Sequence, residues 1–149
     1  MERVRQELII YGAGGHGAVV LAAATAAGDE VVCLVDDGIP AGTRVLTHEV
    51  AGAGEALDAY DTGALVHVAI GNNHIREEVS ARVTGADQEL VNVVHPTAFC
   101  DAESALGPGA FIAAHAVIGV RTHVGQGVIV NTAATVAHEV CNPLNTLKM

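Results

Sequence analysis

Basic residues are scarce. Arg3, Arg5, Arg44, Arg76, Arg82, Arg121 and Lys148 make seven against 17 acids, for a formal charge of −10. A protein that tracks phosphates needs clustered Lys and Arg, so nucleic acid is excluded as a partner class. Cysteine is also thin: Cys33, Cys100 and Cys141 are odd in number and show no CxxC spacing. That argues against disulfides and zinc, and for a reducing cytoplasm. No apolar run approaches the roughly 18 residues of a membrane span. No basic-then-apolar signal segment opens the chain. What is abundant is aliphatic. Half of the 149 residues are apolar, enough for one ordinary domain or two small ones sharing a core.

The aliphatic residues are not scattered. From Val94 onward one returns every sixth position: Val94, Cys100, Leu106, Ile112, Ile118, Val124, Val130 and Val136. Four positions after each sit Ala98, Ser104, Ala110, Ala116, Thr122, Val128, Ala134 and Val140, none larger than valine. Neither a helix nor a flat sheet has a period of six. A triangular coil does: each hexad makes one short strand and one corner, and three hexads close a turn of a parallel β-helix.

The chain before the hexads reads differently. Glu7-Leu8-Ile9-Ile10-Tyr11 is a strand, nearly continuous in apolar residues, as expected when both faces of a sheet are covered. It runs into Gly12-Ala13-Gly14-Gly15-His16-Gly17, which satisfies G-x-G-x-x-G, and then into an Ala-rich helix over 18–27 stopped by Gly28. A second strand, 31–35, ends at Asp36 and Asp37, at the distance from the last glycine where this motif sets its acid. This is a phosphate-binding βαβ context, in which glycines admit a ligand to the backbone and the helix N-terminus favours an anion. The acid after the second strand would reach a ribose hydroxyl. A third strand over 65–70 ends at Gly71-Asn72-Asn73, and a helix over 75–83 presents Ile75, Val79 and Val83 on one face. A last strand over 90–94 leads to His95-Pro96. The expectation is a small, mostly parallel, Rossmann-like α/β domain over 1–93, with its ligand beyond the carboxyl ends of the strands. The hexad domain follows over 94–141 and an irregular tail over 142–149.

Together these pieces resemble the bacterial nucleotide-sugar N-acetyltransferase and sialic-acid O-acetyltransferase group. The residues that carry the resemblance are 11–17, Val35-Asp36-Asp37, Ala69-Ile70-Gly71-Asn72-Asn73 with Arg76, His95-Pro96, Val130-Asn131-Thr132 and His138-Glu139. The resemblance implies a left-handed β-helix that binds acetyl-CoA between the subunits of a homotrimer. It implies a UDP-linked amino sugar or similar nucleotide sugar in the N-terminal domain, with Gly12, Gly14, Gly15, His16, Gly17, Asp36, Asp37, Gly71, Asn72 and Asn73 as its contacts. It implies His138 as catalytic base with Glu139 supporting it, and no metal. Members of the group continue through further coils, whereas here Asn142-Pro143 stand where the next aliphatic hexad would open. The coil domain therefore reads as incomplete, with 142–149 either a cap over its open end or the mark of a truncation.

The residue types suit the chemistry. Acyl transfer to an amine or hydroxyl needs a base, and imidazole, with an ordinary pKa of about 6.5, titrates near working pH. Spacing alone leaves His138 and Glu139 a solvent-facing pair, because neighbours on a strand point to opposite faces. His16 is a candidate to bond the sugar and equally an ordinary loop residue. His115 and His123 read as solvated; His48, His67 and His74 read as structural. With three hexads per coil, His123 stacks near Cys141, but no third ligand or oxyanion donor accompanies a metal or Cys–His reading. Arg76 is either a solvated helix residue or a counter-charge for phosphate. Two other functions remain: a nicotinamide-dependent oxidoreductase, suggested by the glycine motif and Asp36, and a non-catalytic nucleotide-sugar-binding scaffold.

Overall fold

In the computed structural model, residues 4–60 and 63–137 are described, together with the backbone of Val140–Cys141 and Thr146–Leu147. The N-terminal half is a four-stranded sheet built from β1 (Glu7–Tyr11), β2 (Glu30–Val35), β5 (Leu65–Val68) and β6 (Glu89–Leu90). Its order is β2-β1-β5-β6, with every pairing parallel. Helix α1 (Gly15–Ala26) connects β1 to β2, and α2 (Asn73–Gly85) connects β5 to β6. A small antiparallel pair, β3 (Arg44–Val45) with β4 (His48–Glu49), and a 3₁₀ helix, Gly54–Ala59, fill the longer crossover.

Alternation along β1 decides what covers each face. Leu8 and Ile10 pack with Val20, Leu21 and Ala24 of α1, and Ile9 and Tyr11 pack with Leu57, Val79 and Val83 on the other side. Helix α2 departs from the periodicity reading at its first turn. Val79 and Val83 are core residues, but Ile75 is 46% exposed, and the side chains buried beside them are Arg76 and Ser80.

The expected strand over 90–94 is two strands serving two sheets. Glu89–Leu90 ends the α/β sheet, and β7 (Val93–Val94) begins the coil. Strands β8 (Phe99–Cys100), β9 (Ala105–Leu106), β10 (Phe111–Ile112), β11 (Val117–Ile118), β12 (His123–Val124), β13 (Ile129–Val130) and β14 (Thr135–Val136) follow, one to each hexad. They sort into three parallel sheets, each strand pairing with the one three hexads on, such as Val93 with Phe111 and Phe111 with Ile129. Ile112, Ile118, Val124, Val130 and Val136 form the interior with Ala110, Ala116, Val128 and Ala134 between them. The chain turns at residues with left-handed backbone, which recur with the same period: Gly109 (φ 77°), His115 (60°), Arg121 (56°), Gly127 (66°) and Ala133 (61°).

The coil and the α/β sheet share a core. Val93, Phe111, Ala113 and Ile129, on the outer side of one coil sheet, belong to the same buried cluster as Leu8, Ile10 and α1.

The register of the last strands corrects two expectations. Strand β15 (Val140–Cys141) pairs with β12 so that His123 stands opposite Val140, and Cys141 stands opposite Val124. The pairing falls one position short of three full hexads, so Cys141 is not the partner of His123. Strand β16 (Thr146–Leu147) pairs with β13 at the same shortened offset, inside the stretch read as an irregular tail. That single omission puts Cys141 and Leu147 in line with the Val124 and Val130 columns, where the unbroken count of six had placed Asn142 and Lys148.

Candidate active site

Loop 12–17 leaves β1 at the carboxyl edge of the sheet. Its glycines divide by what surrounds them. A Cβ on Gly12, whose φ is +126°, would strike the Ala69 carbonyl, and one on Gly17 would strike the carbonyl of Gly12. These two let strand and helix approach each other. Gly14 and Gly15 meet nothing within 4 Å of an added Cβ and are exposed. They are the part of the motif open to a ligand. Helix α1 begins there with no acid in its first turn, so its unpaired amides and dipole favour an anion.

Both acids after β2 already serve the protein. Asp36 Oδ2 accepts the Ala13 amide (2.8 Å), and its Oδ1 accepts the Gly38 and Ile39 amides (2.8 Å each). The carboxylate ties the glycine loop to its own turn. Asp37 Oδ2 accepts the Tyr11 hydroxyl (2.6 Å) and Arg82 Nη2 (3.0 Å), while Oδ1 accepts the Gly54 amide (2.8 Å). Arg82 Nη2 also donates to the Tyr11 hydroxyl oxygen at 3.1 Å, and its guanidinium lies 5.7 Å from the Tyr11 ring centroid. Burial by itself would raise the Asp37 carboxyl, but Tyr11, Gly54 and Arg82 hold it below the ordinary carboxylate range. Burial and the same carboxylate push the Tyr11 phenol up. Gly54 fits the arrangement because any Cβ there would collide with the Tyr11 hydroxyl.

This Tyr11–Asp37–Arg82 wall separates two hollows. A crevice of about 470 Å³ lies between the β1 and β2 ends and α2, lined by Gly12, Asp36, Ile70, Ile75, Glu78 and Arg82 among others. A recess of about 240 Å³ lies across the wall, toward Leu57 and Gln88.

The segment 71–73 joins Ile70 to Ile75, both of which line the crevice. Asn72 caps α2, its Oδ1 accepting the Ile75 amide at 3.0 Å. Asn73 Oδ1 accepts from Arg76 Nη2 at 2.8 Å. Gly71 leaves ordinary room, with an added Cβ 3.8 Å from the His16 Cβ. Arg76 is neither solvated nor aimed at a phosphate. It is 1% exposed, and it donates from Nη1 to the Ile70 and Gly71 carbonyls (2.9 and 3.2 Å) and from Nε to the Gly127 carbonyl of the coil (2.8 Å).

His16 lies at this junction, edge-on to Phe111 with 5.3 Å between ring centroids. Its Nε2 is buried and has no hydrogen-bond partner among the described residues. Burial, then the charge of Arg76, lowers its pKa to about 4, so the ring is neutral at pH 7. His67, also edge-on to Phe111 at 6.2 Å between ring centroids, is fully buried and donates from Nδ1 to the Val91 carbonyl at 2.8 Å. Its pKa is also lowered to about 4, chiefly by burial. His115 and His123 are exposed. His138 and Glu139 lie outside the described residues.

Sequence reasoning brought Gly12, Gly14, Gly15, His16, Gly17, Asp36, Asp37 and 71–73 to one edge of the sheet. It passed over Tyr11, Gly54, Glu78 and Arg82. The signal was there for two of them, since Glu78 and Arg82 are four apart on a helix whose start Asn72 marks. Among the described residues no cluster of three His, Cys, Asp or Glu could hold a metal ion. No helix there is long and apolar enough to cross a membrane.

A family model, the PglD N-terminal domain, matches residues 7–83. The GDP-perosamine N-acetyltransferase of Escherichia coli O157:H7 is 29% identical over 136 residues, covering 87% of this chain and 61% of that protein. The acetyltransferase domain of PglB from Neisseria gonorrhoeae FA1090, solved in complex with acetyl coenzyme A, superposes with a TM-score of 0.81 at 32% identity. That match covers 91% of this chain and 66% of the other. PerB from Caulobacter crescentus, in complex with CoA and GDP-perosamine, gives a TM-score of 0.78 at 32% identity, covering 88% and 62%. The chain thus spans less than two thirds of the length of these relatives.

Proposed function

Because the chain belongs to the PglD N-terminal domain family, we propose that it is a cytoplasmic sugar acetyltransferase, moving an acetyl group from acetyl-CoA to an amino or hydroxyl group of a nucleotide-linked sugar. Residues 1–93 are the nucleotide-sugar-binding part, and 94–141 are the acyltransferase coil, left-handed as in the group it resembles. The observation that carries the reading is the crevice at the carboxyl edge of the sheet, lined by Gly12 of the glycine loop, Asp36 and Ile70, with Arg76 joining the Ile70 carbonyl to the Gly127 carbonyl of the coil. The crevice has a polarity. The α1 amides favour the diphosphate, while Asp36, Asp37 and Glu78 place the negative side toward the ribose and base. Asp36 and Asp37 act in this site by holding the loops in shape, and 71–73 and His16 lie where the sugar would leave the crevice for the coil.

In the reaction the sugar amine attacks the thioester carbonyl, His138 takes the proton from nitrogen as the C–N bond forms, and the C–S bond breaks to release CoA thiolate. Glu139 orients the imidazole and stabilises its charged form. No step calls for a metal. A homotrimer completes the acetyl-CoA site between neighbouring coils; Phe99, 58% exposed, stands in one register column with Val117 and Thr135 on the coil's outer side, where a second copy would cover it.

Incubation with acetyl-CoA and nucleotide-linked amino sugars, read by thiol release, tests the activity. Calorimetry with the same sugars and with NADH tests the ligand. Sugar nucleotides are expected to bind and NADH not to; tight NADH binding without sugar-nucleotide binding would overturn the proposal.

A further inference from the structure

His16 carries a polar atom that its own half of the molecule leaves unsatisfied. Nε2 is shut away from solvent without a hydrogen-bond partner among the described residues. Nδ1 has no described partner either, but it is not shut away, and the residue as a whole is half-buried. A buried polar group in a native structure normally has a partner. What lies against this ring is Phe111 of the coil, with 5.3 Å between centroids and planes crossing at 80°. That is the perpendicular arrangement in which the positive edge of one ring meets the negative face of another. Phe111 is itself 1% exposed and held in β10 between Val93 and Ile129, so its ring is a fixed wall. His67 meets the same ring, but the one hydrogen of its neutral imidazole is given to the Val91 carbonyl.

His16, neutral at pH 7, has one ring hydrogen to place. On Nδ1 it would leave Nε2 as a buried lone pair with no donor. On Nε2 it gives the positive edge of the imidazole to the aromatic face, an N–H···π contact, and the orphaned atom gains a partner. Resting on the nucleotide-sugar reading for the group it serves, we infer that Phe111 is a positioning residue: its ring face takes the His16 Nε2–H, fixes that tautomer, and leaves the Nδ1 lone pair as an acceptor where the sugar would leave the crevice for the coil. The direction of that hydrogen bond matters to acyl transfer. An acceptor takes an N–H or O–H of the sugar and leaves the attacking lone pair free, whereas a donor would tie that lone pair up. The glycine loop supplies the imidazole and the coil supplies the ring, so the tautomer is set only when the two halves are packed together.

Long-range 1H–15N NMR spectra of the full chain at neutral pH, with His16 assigned by a His16→Gln variant, read which nitrogen carries the hydrogen. The expected result is Nε2–H, its proton shifted upfield by the aromatic face. Phe111→Leu keeps an apolar side chain in the core; it should give a mixture of tautomers and lower kcat/KM for an amino-sugar nucleotide by roughly 3- to 10-fold. Nδ1–H in the unaltered protein overturns the proposal whether or not the variant folds. The same pure tautomer in folded Phe111→Leu overturns the role of Phe111. Added UDP-linked or GDP-linked amino sugar should move the His16 Nδ1 resonance; calorimetric binding with that resonance unmoved overturns the acceptor role and leaves the nucleotide-sugar reading standing. An Nε2–H tautomer that depends on Phe111, in a chain that binds neither sugar nucleotide, upholds the positioning and overturns the nucleotide-sugar reading instead.

Discussion

The two halves of this molecule are specified in different ways. In the coil, each position repeats the duty of the position three hexads earlier: Ile112 lies between Val94 and Val130, and Ile118 lies between Cys100 and Val136. A rule of volume and period suffices there, and most members of a column are interchangeable. In the α/β half nothing repeats. Gly12, Gly17 and Gly54 each answer a different backbone or side-chain oxygen, and Asp37 joins groups from β1, the crossover and α2. One half stacks; the other interlocks. Repetition makes a fold tolerant, while interlocking makes it particular.

The largest effect should come from the point where the coil ceases to be interchangeable. His138→Ala is expected to lower acetyl transfer by roughly 10²–10⁴-fold, the range for losing a positioned general base. Nucleotide-sugar affinity should stay within about 2-fold, because every group assigned to that site lies N-terminal to the coil. Rates and calorimetry on one preparation separate the two. Full activity without His138 would remove it from the mechanism.

The interlocked half breaks next. Gly12→Ala forces a side chain into the Ala69 carbonyl at a positive φ and should destabilise the protein by roughly 3 kcal/mol. Gly14→Ala meets open space and should leave stability within about 0.5 kcal/mol. Denaturant unfolding of the pair checks the distinction, and equal losses would mean that the loop is not divided as described.

Acid should loosen the seam between the halves. The His67 pKa is about 4 in the fold against an unfolded value of about 6.5, so the unfolded chain binds more protons between those values. Stability from the neutral ring is therefore complete above about pH 6.5 and is lost as pH falls toward 4, by up to about 3 kcal/mol. Melting curves from neutral pH down to mildly acidic pH should show this slope, and His67→Phe should reduce it, leaving the part that His16, also lowered to about 4, contributes.

The smallest effect lies at a coil corner. Ala133 holds φ 61° with its side chain exposed. Ala133→Gly should relieve left-handed strain and raise stability by up to about 1 kcal/mol, less the extra freedom glycine brings to the unfolded chain. A loss of stability on thermal melting would show that the strain at the corner is smaller than the freedom glycine adds to the unfolded chain.

The difference between the halves also explains what the amino-acid sequence discloses. Period-six aliphatics, the run Leu8-Ile9-Ile10-Tyr11 and the glycine motif are local patterns, and their elements stand where those patterns put them. The Tyr11–Asp37–Arg82 wall joins groups from three separate elements, and no local rule pairs them. Arg76 misled because a helical arginine normally reads as surface, whereas here backbone carbonyls from two loops satisfy it inside the core. Ile75 misled the other way: it fits the apolar stripe of α2, yet faces the crevice. The shortened offset of β15 and β16 is invisible to a reader counting sixes, because only backbone pairing reveals that the count drops by one.

Arg76 has one more consequence. A single rigid, planar group bolts the shelf of the crevice, Ile70 and Gly71, to the coil corner at Gly127. A hinge at that joint would have to break several charge-assisted hydrogen bonds in a buried place at once. The joint therefore works as a strut. It fixes the span between whatever rests on the shelf and whatever rests on the coil, so reach across that span has to come from the ligands and not from the protein.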